Sequence, residues 1–208
     1  ILVERQLDRV DELLPDIDVV VAGPGLGFGA DMFLEKVWRS DRPLILDADG
    51  LNWLSEAKVE KREAEWIGTP HPGEARKLLG ENIEDRFLAV EKLHSLYGGL
   101  WVLKGAGTLV GPNPMYVNPF ADSILATAGS GDVLAGIIGG LVAQQSATPA
   151  LSGVYLHSKS AELLKKKYDV RATIRDLNNA GQIKSDLKEY LNKEINIEFF
   201  ETDLLKDE

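Results

Sequence analysis

The chain has 208 residues, of which 44% are hydrophobic and 27% charged, so it is long enough to enclose one substantial core. Its net charge of −10 and pI near 4.9 argue against nucleic acid or an anionic membrane as a partner, because both bind basic surfaces. The absence of cysteine excludes disulfides and thiolate metal sites. The lack of a membrane-length apolar run or a signal-peptide pattern predicts one soluble domain, residues 1–208, in the cytoplasm.

Strand and helix patterns alternate as far as Asn118. The predicted strands lie at residues 18–23, from Pro43 onward, at Trp66 and Ile67, and in WVL, TLVG and MYVN, the last two forming an antiparallel ribbon around Gly111 to Asn113. The predicted helices lie near 30–39, from Pro72 to Gly80, and at about 84–97.

After Asn118 the pattern predicts three helices, near 130–144, 149–167 and 180–192, followed by a surface-exposed acidic tail, ETDLLKDE. The alternation favours an α/β fold, a three-layer sandwich with a mostly parallel central sheet flanked by helices. Ligands bind such sheets at the carboxyl ends of the strands. Four unusual motifs follow predicted strands there: GPGLG, DADG, HPGE and KGAG.

The first motif, GPGLGFGA, has three interpretations. Gly25, Gly27 and Ala30 match the G-x-G-x-x-G/A fingerprint of dinucleotide-binding proteins, and Asp47 follows Gly27 by 20 residues. The glycines equally suit a tight structural turn, or a loop of another fold whose backbone approaches a ligand. A fingerprint without other support is weak evidence, so we favour the ligand-approach loop.

Candidate polar groups follow the next two strands. Asp47 and Asp49 directly follow the second strand, so they either cap the following helix or one of them contacts a ribose or a metal-bound water. His71 lies between two prolines that hold its backbone extended, and we favour a ligand contact over a loop histidine. His94 and His157 lie within predicted helices, which favours structural roles, and no histidine has zinc-ligand spacing.

The segment KGAGT, Lys104 to Thr108, places a cation, flexible amides and a hydroxyl in one turn after a strand. That combination suits a phosphate, although a plain β-turn would use the same glycines. The chain contains no Walker A motif, so this is not a P-loop.

The segment ATAGSGDVLAG begins a helix rich in small and aliphatic residues. Each internal glycine costs about 1 kcal/mol relative to alanine, so we expect this helix to be packed closely on several sides. Its first amides, from Gly129 to Asp132, and its dipole favour a bound anion. Asp132 is either a helix cap or a base that takes a proton from an attacking hydroxyl during phosphoryl transfer.

Together these motifs resemble the ADP-dependent NAD(P)H-hydrate dehydratase family, which has the ribokinase-like fold. The matching segments are VVVAGPGLG, LILDADGLN, TPHPGEARKLLG, VLKGAGTLV, NPFADSILATAGSGDVLAGIIGGL and the later AELL. The resemblance implies a lyase that dehydrates the S-epimer of hydrated NADH or NADPH. It further implies consumption of ADP, or of ATP in eukaryotic relatives, a role for Mg²⁺, and a homo-oligomer, a tetramer in relatives.

The resemblance also implies roles for individual residues. Gly25, Gly27, His71 and Asp132 would contact the hydrated nicotinamide nucleotide. The adenine nucleotide would be held by Lys104, Gly105, Ala106, Gly107, Thr108, Gly129, Ser130 and Gly131. In the mechanism that follows, Asp132 accepts the proton of the ring hydroxyl as it attacks the terminal phosphate of ADP, and the ring nitrogen then expels phosphate.

One departure from the family and two alternative functions remain. Family members begin with a further segment of some tens of residues, so we expect this chain to be a fragment or a shortened homologue; bifunctional relatives also carry an epimerase domain. The alternatives are a ribokinase-like kinase for a thiazole or pyridoxal alcohol, and a nucleotide-binding module without turnover.

Overall fold

The computed structural model describes residues 9–27, 29–120, 123–167, 170–174 and 197–201, with side chains described as far as residue 163. The chain divides into two compact units, Ile1–Ser160 and Ala161–Glu208. The predicted helix over 180–192 and residues 202–208 of the acidic tail lie outside the described residues. A single domain over the whole chain stays a prediction.

The helices and strands of the first unit follow the predicted order, except that the short first helix was not predicted. The helices are α1 (Val10–Leu13), α2 (Asp31–Arg39), α3 (Ala48–Glu56), α4 (Pro72–Leu79), α5 (Arg86–Tyr97), α6 (Ser130–Ala143) and α7 (Pro149–Lys167), which extends into the second unit. The strands are β1 (Val20–Ala22), β2 (Leu44–Leu46), β3 (Trp66–Gly68), β4 (Leu100–Leu103), β5 (Leu109–Gly111) and β6 (Tyr116–Val117). In the second unit, β7 (Val170–Ile174) pairs in parallel with β8 (Ile197–Glu201), a ribbon that the sequence patterns did not predict.

The six strands of the first unit form one sheet in the order β1-β2-β3-β4-β5-β6. The first four strands are parallel, and β5 and β6 form the predicted antiparallel ribbon. The carboxyl ends of β1 to β4 therefore lie along one edge of the sheet. GPGLG, DADG, TPHPGE and KGAG follow these four strands in turn, as predicted.

Helices cover both faces of this sheet, which confirms the predicted three layers. On one face, Leu44 and Leu46 pack in a core that includes buried residues of α2 to α5. On the other face, Ile45 packs in a second core with Leu134 of α6 and Val154 of α7. Adjacent residues of β2 thus face different layers, as the alternation of a strand requires.

The glycines of α6 divide into two groups. A Cβ at Gly139 would lie 2.5 Å from Cγ2 of Val21, so only glycine allows the helix to approach β1 this closely. A Cβ at Gly136 or Gly140 would meet no described heavy atom within 4 Å, and both residues are exposed. The expectation of close packing on several sides is therefore wrong for the face that carries Gly136 and Gly140.

Candidate functional site

A buried ion pair lies at the carboxyl edge of the sheet. Nζ of Lys104, at the end of β4, lies 2.8 Å from Oδ1 of Asp47, at the end of β2. The Asp47 side chain is 2% exposed and makes no capping bond to α3. The helix-cap interpretation of the Asp47 side chain is therefore wrong, because its carboxylate is buried against the cation predicted to hold phosphate. A contact of Asp47 or Asp49 with a ribose or a metal-bound water stays a prediction.

Glu74 adds a second carboxylate to this pair. Its Oε2 lies 3.8 Å from Nζ of Lys104 and accepts a 2.7 Å hydrogen bond from the backbone N–H of His71. Two carboxylates and one ammonium leave the cluster with a formal charge of −1. The cluster alone therefore does not attract a phosphate.

His71 is the N-cap of α4, a role that the sequence analysis missed. Its Nδ1 accepts hydrogen bonds from the N–H groups of Gly73, at 2.9 Å, and Glu74, at 3.2 Å. A neutral ring that accepts at Nδ1 carries its proton on Nε2, and Nε2 lies 3.4 Å from Oε1 of Glu74. The imidazole is 57% exposed, so the predicted substrate contact remains compatible with the capping role and stays a prediction.

The GPGLG loop is a tight turn in one part and open in another. A Cβ at Gly23 would lie 1.7 Å from the carbonyl oxygen of Asp47, so glycine is required there by the neighbouring backbone. Gly25 and Gly27 both have φ of +66°, with no described atom within 4 Å of a Cβ, and the N–H of Gly27 donates to Oδ2 of Asp49 at 2.9 Å. The two glycines predicted to contact substrate thus line an open surface, and the hydrogen bond to Asp49 holds the backbone of Gly27 in position.

The KGAGT turn is fastened by Arg86, which the sequence analysis missed. Arg86 donates to the carbonyls of Leu103, at 3.1 Å, and Ala106, at 2.6 Å, and burial lowers the pKa of its guanidinium. Thr108 donates its hydroxyl to the carbonyl of Gly105 at 3.0 Å, so this predicted phosphate ligand is used within the turn. A cation at the first position of a helix opposes the helix dipole, and that signal could have identified Arg86.

The N-terminus of α6 lies directly against the ion pair. A Cβ at Gly131 would lie 3.1 Å from Nζ of Lys104 and 3.5 Å from Oδ2 of Asp47. Gly129, with φ of +81°, is the N-cap, and the N–H of Ser130 donates to the carbonyl of Thr127 at 3.2 Å. The amides of Gly131 and Asp132 remain as first-turn donors, which lack partners within a helix.

Asp132 is the third residue of α6, and it is exposed. Gly129, and not Asp132, is the N-cap of this helix, and within the described part of the chain the Asp132 carboxylate has no hydrogen bond or ion pair. The helix-cap interpretation is therefore wrong. The role of Asp132 as a base stays a prediction, which its solvent-accessible position beside Gly131 allows.

The two other histidines differ in their surroundings. Nδ1 of His94 lies 2.7 Å from the carbonyl oxygen of Gly99, a structural contact as predicted. Nε2 of His157, on α7, lies 3.2 Å from Oγ of Ser130 in the GSGD turn. Burial lowers the pKa of His157, a hydrogen bond to the backbone of Ser130 opposes this shift, and the charge of Lys104 adds to it. The interpretation of His157 as a purely structural residue thus missed its contact with the site.

A cavity of about 630 Å³ lies away from this edge, beside residues 58–64, which precede β3. Arg62 is buried there and donates to the carbonyls of Val37, at 2.9 Å, Trp38 and Arg42. These hydrogen bonds hold the end of α2 in place. No cluster of three or more metal-ligating side chains occurs within the described ranges, and no helix among them is long and apolar enough to span a membrane.

A profile of the family described as NAD(P)H-hydrate dehydratase matches residues 2–182. The chain belongs to this family. It is 40% identical over 190 residues to the ADP-dependent (S)-NAD(P)H-hydrate dehydratase of Neisseria meningitidis, a match covering 81% of this chain and 63% of the relative. It is 47% identical over 165 residues to the bifunctional NAD(P)H-hydrate repair enzyme Nnr of Coxiella burnetii, covering 74% and 33% respectively. The chain therefore spans less than two thirds of the length of these relatives.

Solved structures of similar proteins share the fold. The ADP/ATP-dependent NAD(P)H-hydrate dehydratase from Bacillus subtilis, co-crystallized with ATP/Mg²⁺, matches with a TM-score of 0.66 and 30% identity, over 73% of this chain and 57% of that one. A ribokinase-like superfamily protein from Enterococcus faecalis matches with a TM-score of 0.71 and 26% identity, over 88% and 68%. These likenesses confirm the predicted ribokinase-like sandwich.

Proposed function

We propose that the chain catalyses the ADP-dependent dehydration of the S-epimer of hydrated NADH or NADPH, with AMP and phosphate as the other products. One observation carries the proposal: the N-terminus of α6 lies against the Lys104–Asp47 pair, and an unpaired carboxylate, Asp132, follows within the described part of that helix. The names of the relatives from Neisseria meningitidis and Bacillus subtilis support this choice of reaction.

The helix terminus is suited to the transferred phosphoryl group. The amides of Gly131 and Asp132 donate along the helix axis, where the dipole favours negative charge. Lys104 adds an ammonium beside Gly131. Because these donors are fixed before the reaction, they stabilise the charge that develops on the phosphoryl oxygens without rearranging.

The proposed reaction has two steps. Asp132 takes the proton of the substrate's ring hydroxyl while the hydroxyl oxygen attacks the terminal phosphorus of ADP, which breaks the bond to the AMP oxygen. The lone pair of the ring nitrogen then expels phosphate, which carries away the former hydroxyl oxygen, and loss of a proton from the adjacent ring carbon restores the ring double bond. The net change is loss of water from the hydrate and hydrolysis of ADP to AMP and phosphate.

The residues present fit a magnesium ion. Mg²⁺ prefers oxygen ligands, and proteins usually bind it through one or two carboxylates together with phosphate oxygens. Asp47 and Glu74 supply two carboxylates at one place, and their cluster with Lys104 carries a formal charge of −1. When bound, the ion neutralises charge on the nucleotide phosphates, which the cluster would otherwise repel.

The two nucleotides bind to the glycine-rich motifs. The open glycines of GPGLG and the exposed edge of His71 form the surface for the hydrated nicotinamide nucleotide, and Lys104 to Thr108 with Gly129 to Gly131 hold the adenine nucleotide. ATP is an alternative phosphoryl donor, as the name of the Bacillus subtilis relative indicates for that protein. A homo-tetramer rests on the family resemblance, and sedimentation of the purified chain measures it. A cytoplasmic location stays a prediction from the sequence.

The direct test mixes the purified chain with hydrated NADH and follows the absorbance of NADH, with and without ADP and Mg²⁺. The proposal expects absorbance to return only when the nucleotide is present. Lack of any nucleotide-dependent change overturns it. A stable phosphorylated product from a thiazole or pyridoxal alcohol, with no effect on the hydrate, identifies a kinase instead.

A further inference from the structure

One helix holds both ends of the segment that leads into α6. This segment, residues 118–130, connects β6 to the GSGD turn, and its residues 121 and 122 are outside the described ranges. Nδ2 of Asn118 donates to Oγ of Ser158 at 2.7 Å, a buried contact. At the other end, Oγ of Ser130 lies 3.2 Å from Nε2 of His157. Two consecutive residues of α7 thus bind the start and the end of the segment.

Aromatic and cationic contacts strengthen the attachment near Asn118. The ring of Phe120 packs edge-on against Tyr155 of α7, with centroids 5.7 Å apart, and Nζ of Lys159 lies 4.8 Å from the Phe120 centroid. The Ser130 end lacks such packing, because the neighbouring Gly129 and Gly131 have no side chains. Within the described residues, the hydrogen bond between Ser130 and His157 is the side-chain contact that restrains this turn.

We propose that His157 is a positioning residue, which holds Ser130 so that the amides of Gly131 and Asp132 stay directed at the phosphoryl group. This inference rests on the proposed function. His157 acts through Ser130 and touches neither substrate in this account. Glycines on both sides of Ser130 give the turn many alternative backbone conformations, and a bond at the central residue restricts them.

The protonation of the ring agrees with this role. Burial lowers the pKa of the half-buried His157 below its ordinary value, the charge of Lys104 acts in the same direction, and a hydrogen bond to the backbone of Ser130 acts against them, so the ring is mainly neutral at pH 7. A neutral imidazole can donate to or accept from the Ser130 hydroxyl. It adds no charge that would distort the binding of the nucleotide phosphates.

The test compares His157→Leu, which removes the hydrogen bond, with His157→Gln, which keeps a hydrogen-bonding group near the position of Nε2. A hydrogen bond of this kind contributes about 0.5–1.5 kcal/mol, or roughly two- to twelvefold in binding. We expect His157→Leu to weaken ADP binding in the presence of Mg²⁺ by about that factor, measured by calorimetry, and to lower kcat more than it raises KM for the hydrate. His157→Gln should recover most of both losses.

Two further variants make the test specific. Ser130→Ala removes the same bond from the other side without disturbing α7, so it should reproduce the effect of His157→Leu, and the double variant should be no worse than either. His94→Leu is the matched control, because it removes a comparable histidine contact to backbone next to the amino end of β4 and should leave ADP affinity and kcat unchanged.

The outcomes separate this inference from the proposed function. Unchanged ADP affinity and kcat in both His157→Leu and Ser130→Ala overturn the positioning role, as does an equal loss in His157→Gln. If the chain binds ADP but does not restore NADH, the proposed function fails and the affinity comparison still decides the role of His157. If it binds no adenine nucleotide, both fail.

Discussion

Asp47 is buried at the end of β2, and a buried carboxylate is stable only when a cation or several hydrogen bonds match its charge. Lys104 supplies that cation from the end of β4. We therefore expect Lys104→Met to lower the free energy of unfolding by about 3 kcal/mol, because it leaves the carboxylate uncompensated. Urea denaturation measures the change.

The double variant Asp47→Asn with Lys104→Met provides the control. It removes both charges at once, so it should recover much of the lost stability while remaining inactive. An additive loss of stability in the double variant would show that the two residues do not depend on each other.

Asp132 is the third residue of α6, beside the amides proposed to bind the phosphoryl group, and it is not the N-cap of the helix. Because its proposed task is to accept one proton in the chemical step, Asp132→Asn should abolish ADP-dependent restoration of NADH. The affinity for ADP, measured by calorimetry with Mg²⁺, should change little, because the amide of residue 132 is kept. A variant with normal turnover would exclude Asp132 as the base.

The sequence predicted some site residues and missed others for a physical reason. Glycine-rich turns and a lysine after a strand carry local signals, so GPGLG, KGAGT and GSGD could be found as motifs. The Lys104–Asp47 pair joins residues 57 positions apart, and the Ser130–His157 contact joins residues 27 apart. No local pattern encodes such contacts, and Asp47, Asp49 and His157 were interpreted from their immediate neighbours alone.

At the scale of elements, the glycines of α6 differ in how closely their neighbours pack against them. Gly136 has open space around it, so Gly136→Ala should raise the free energy of unfolding by up to about 1 kcal/mol, the difference between these residues in a helix. Gly139→Ala places a methyl group 2.5 Å from Val21 and should lower it by about 1–3 kcal/mol. Urea denaturation of both variants gives the comparison, and equal effects would contradict the packing described for α6.

Helices and strands could be predicted where the hydrophobic periodicity or the helix-capping signal was clear. Pro72 and Gly80 bound α4 as expected, and Gly80 adopts the left-handed conformation, with φ of 68°, that ends a helix. The capping role of His71 was not predictable from residue preferences, because aspartate, asparagine, serine and threonine are the usual N-caps. The β7–β8 ribbon was missed because its strands are separated by residues whose pattern predicts a helix.

For the whole molecule, His157 predicts how stability depends on pH. Its folded pKa lies below the ordinary value of 6.5, so below about pH 6.5 the unfolded chain binds a proton that the folded chain does not. Its contribution to stability is therefore constant above that pH and is lost as the pH falls through the interval between the two pKa values.

The measurement is the unfolding free energy of the unsubstituted chain and of His157→Gln at several pH values. The difference between them should be constant above about pH 6.5 and should move against the unsubstituted chain below it. Parallel curves over the whole range would show that His157 titrates equally in both states.

The architecture of the first unit was the most predictable feature. Alternating strand and helix patterns imply parallel strands joined by helices, and such connections place every strand's carboxyl end on the same edge. Each motif that follows β1 to β4 therefore had to lie on one edge. Side-chain partners across that edge depended on packing, which the order of elements does not determine.

The central claim is that ADP is consumed to dehydrate the hydrate, and product stoichiometry tests it most directly. The chain is incubated with hydrated NADH, ADP and Mg²⁺, and NADH, AMP and phosphate are quantified over time, with Asp132→Asn in parallel. The account predicts that the three products form in equal amounts and that the variant forms none of them. NADH restored without AMP, or AMP and phosphate released without NADH, would contradict it.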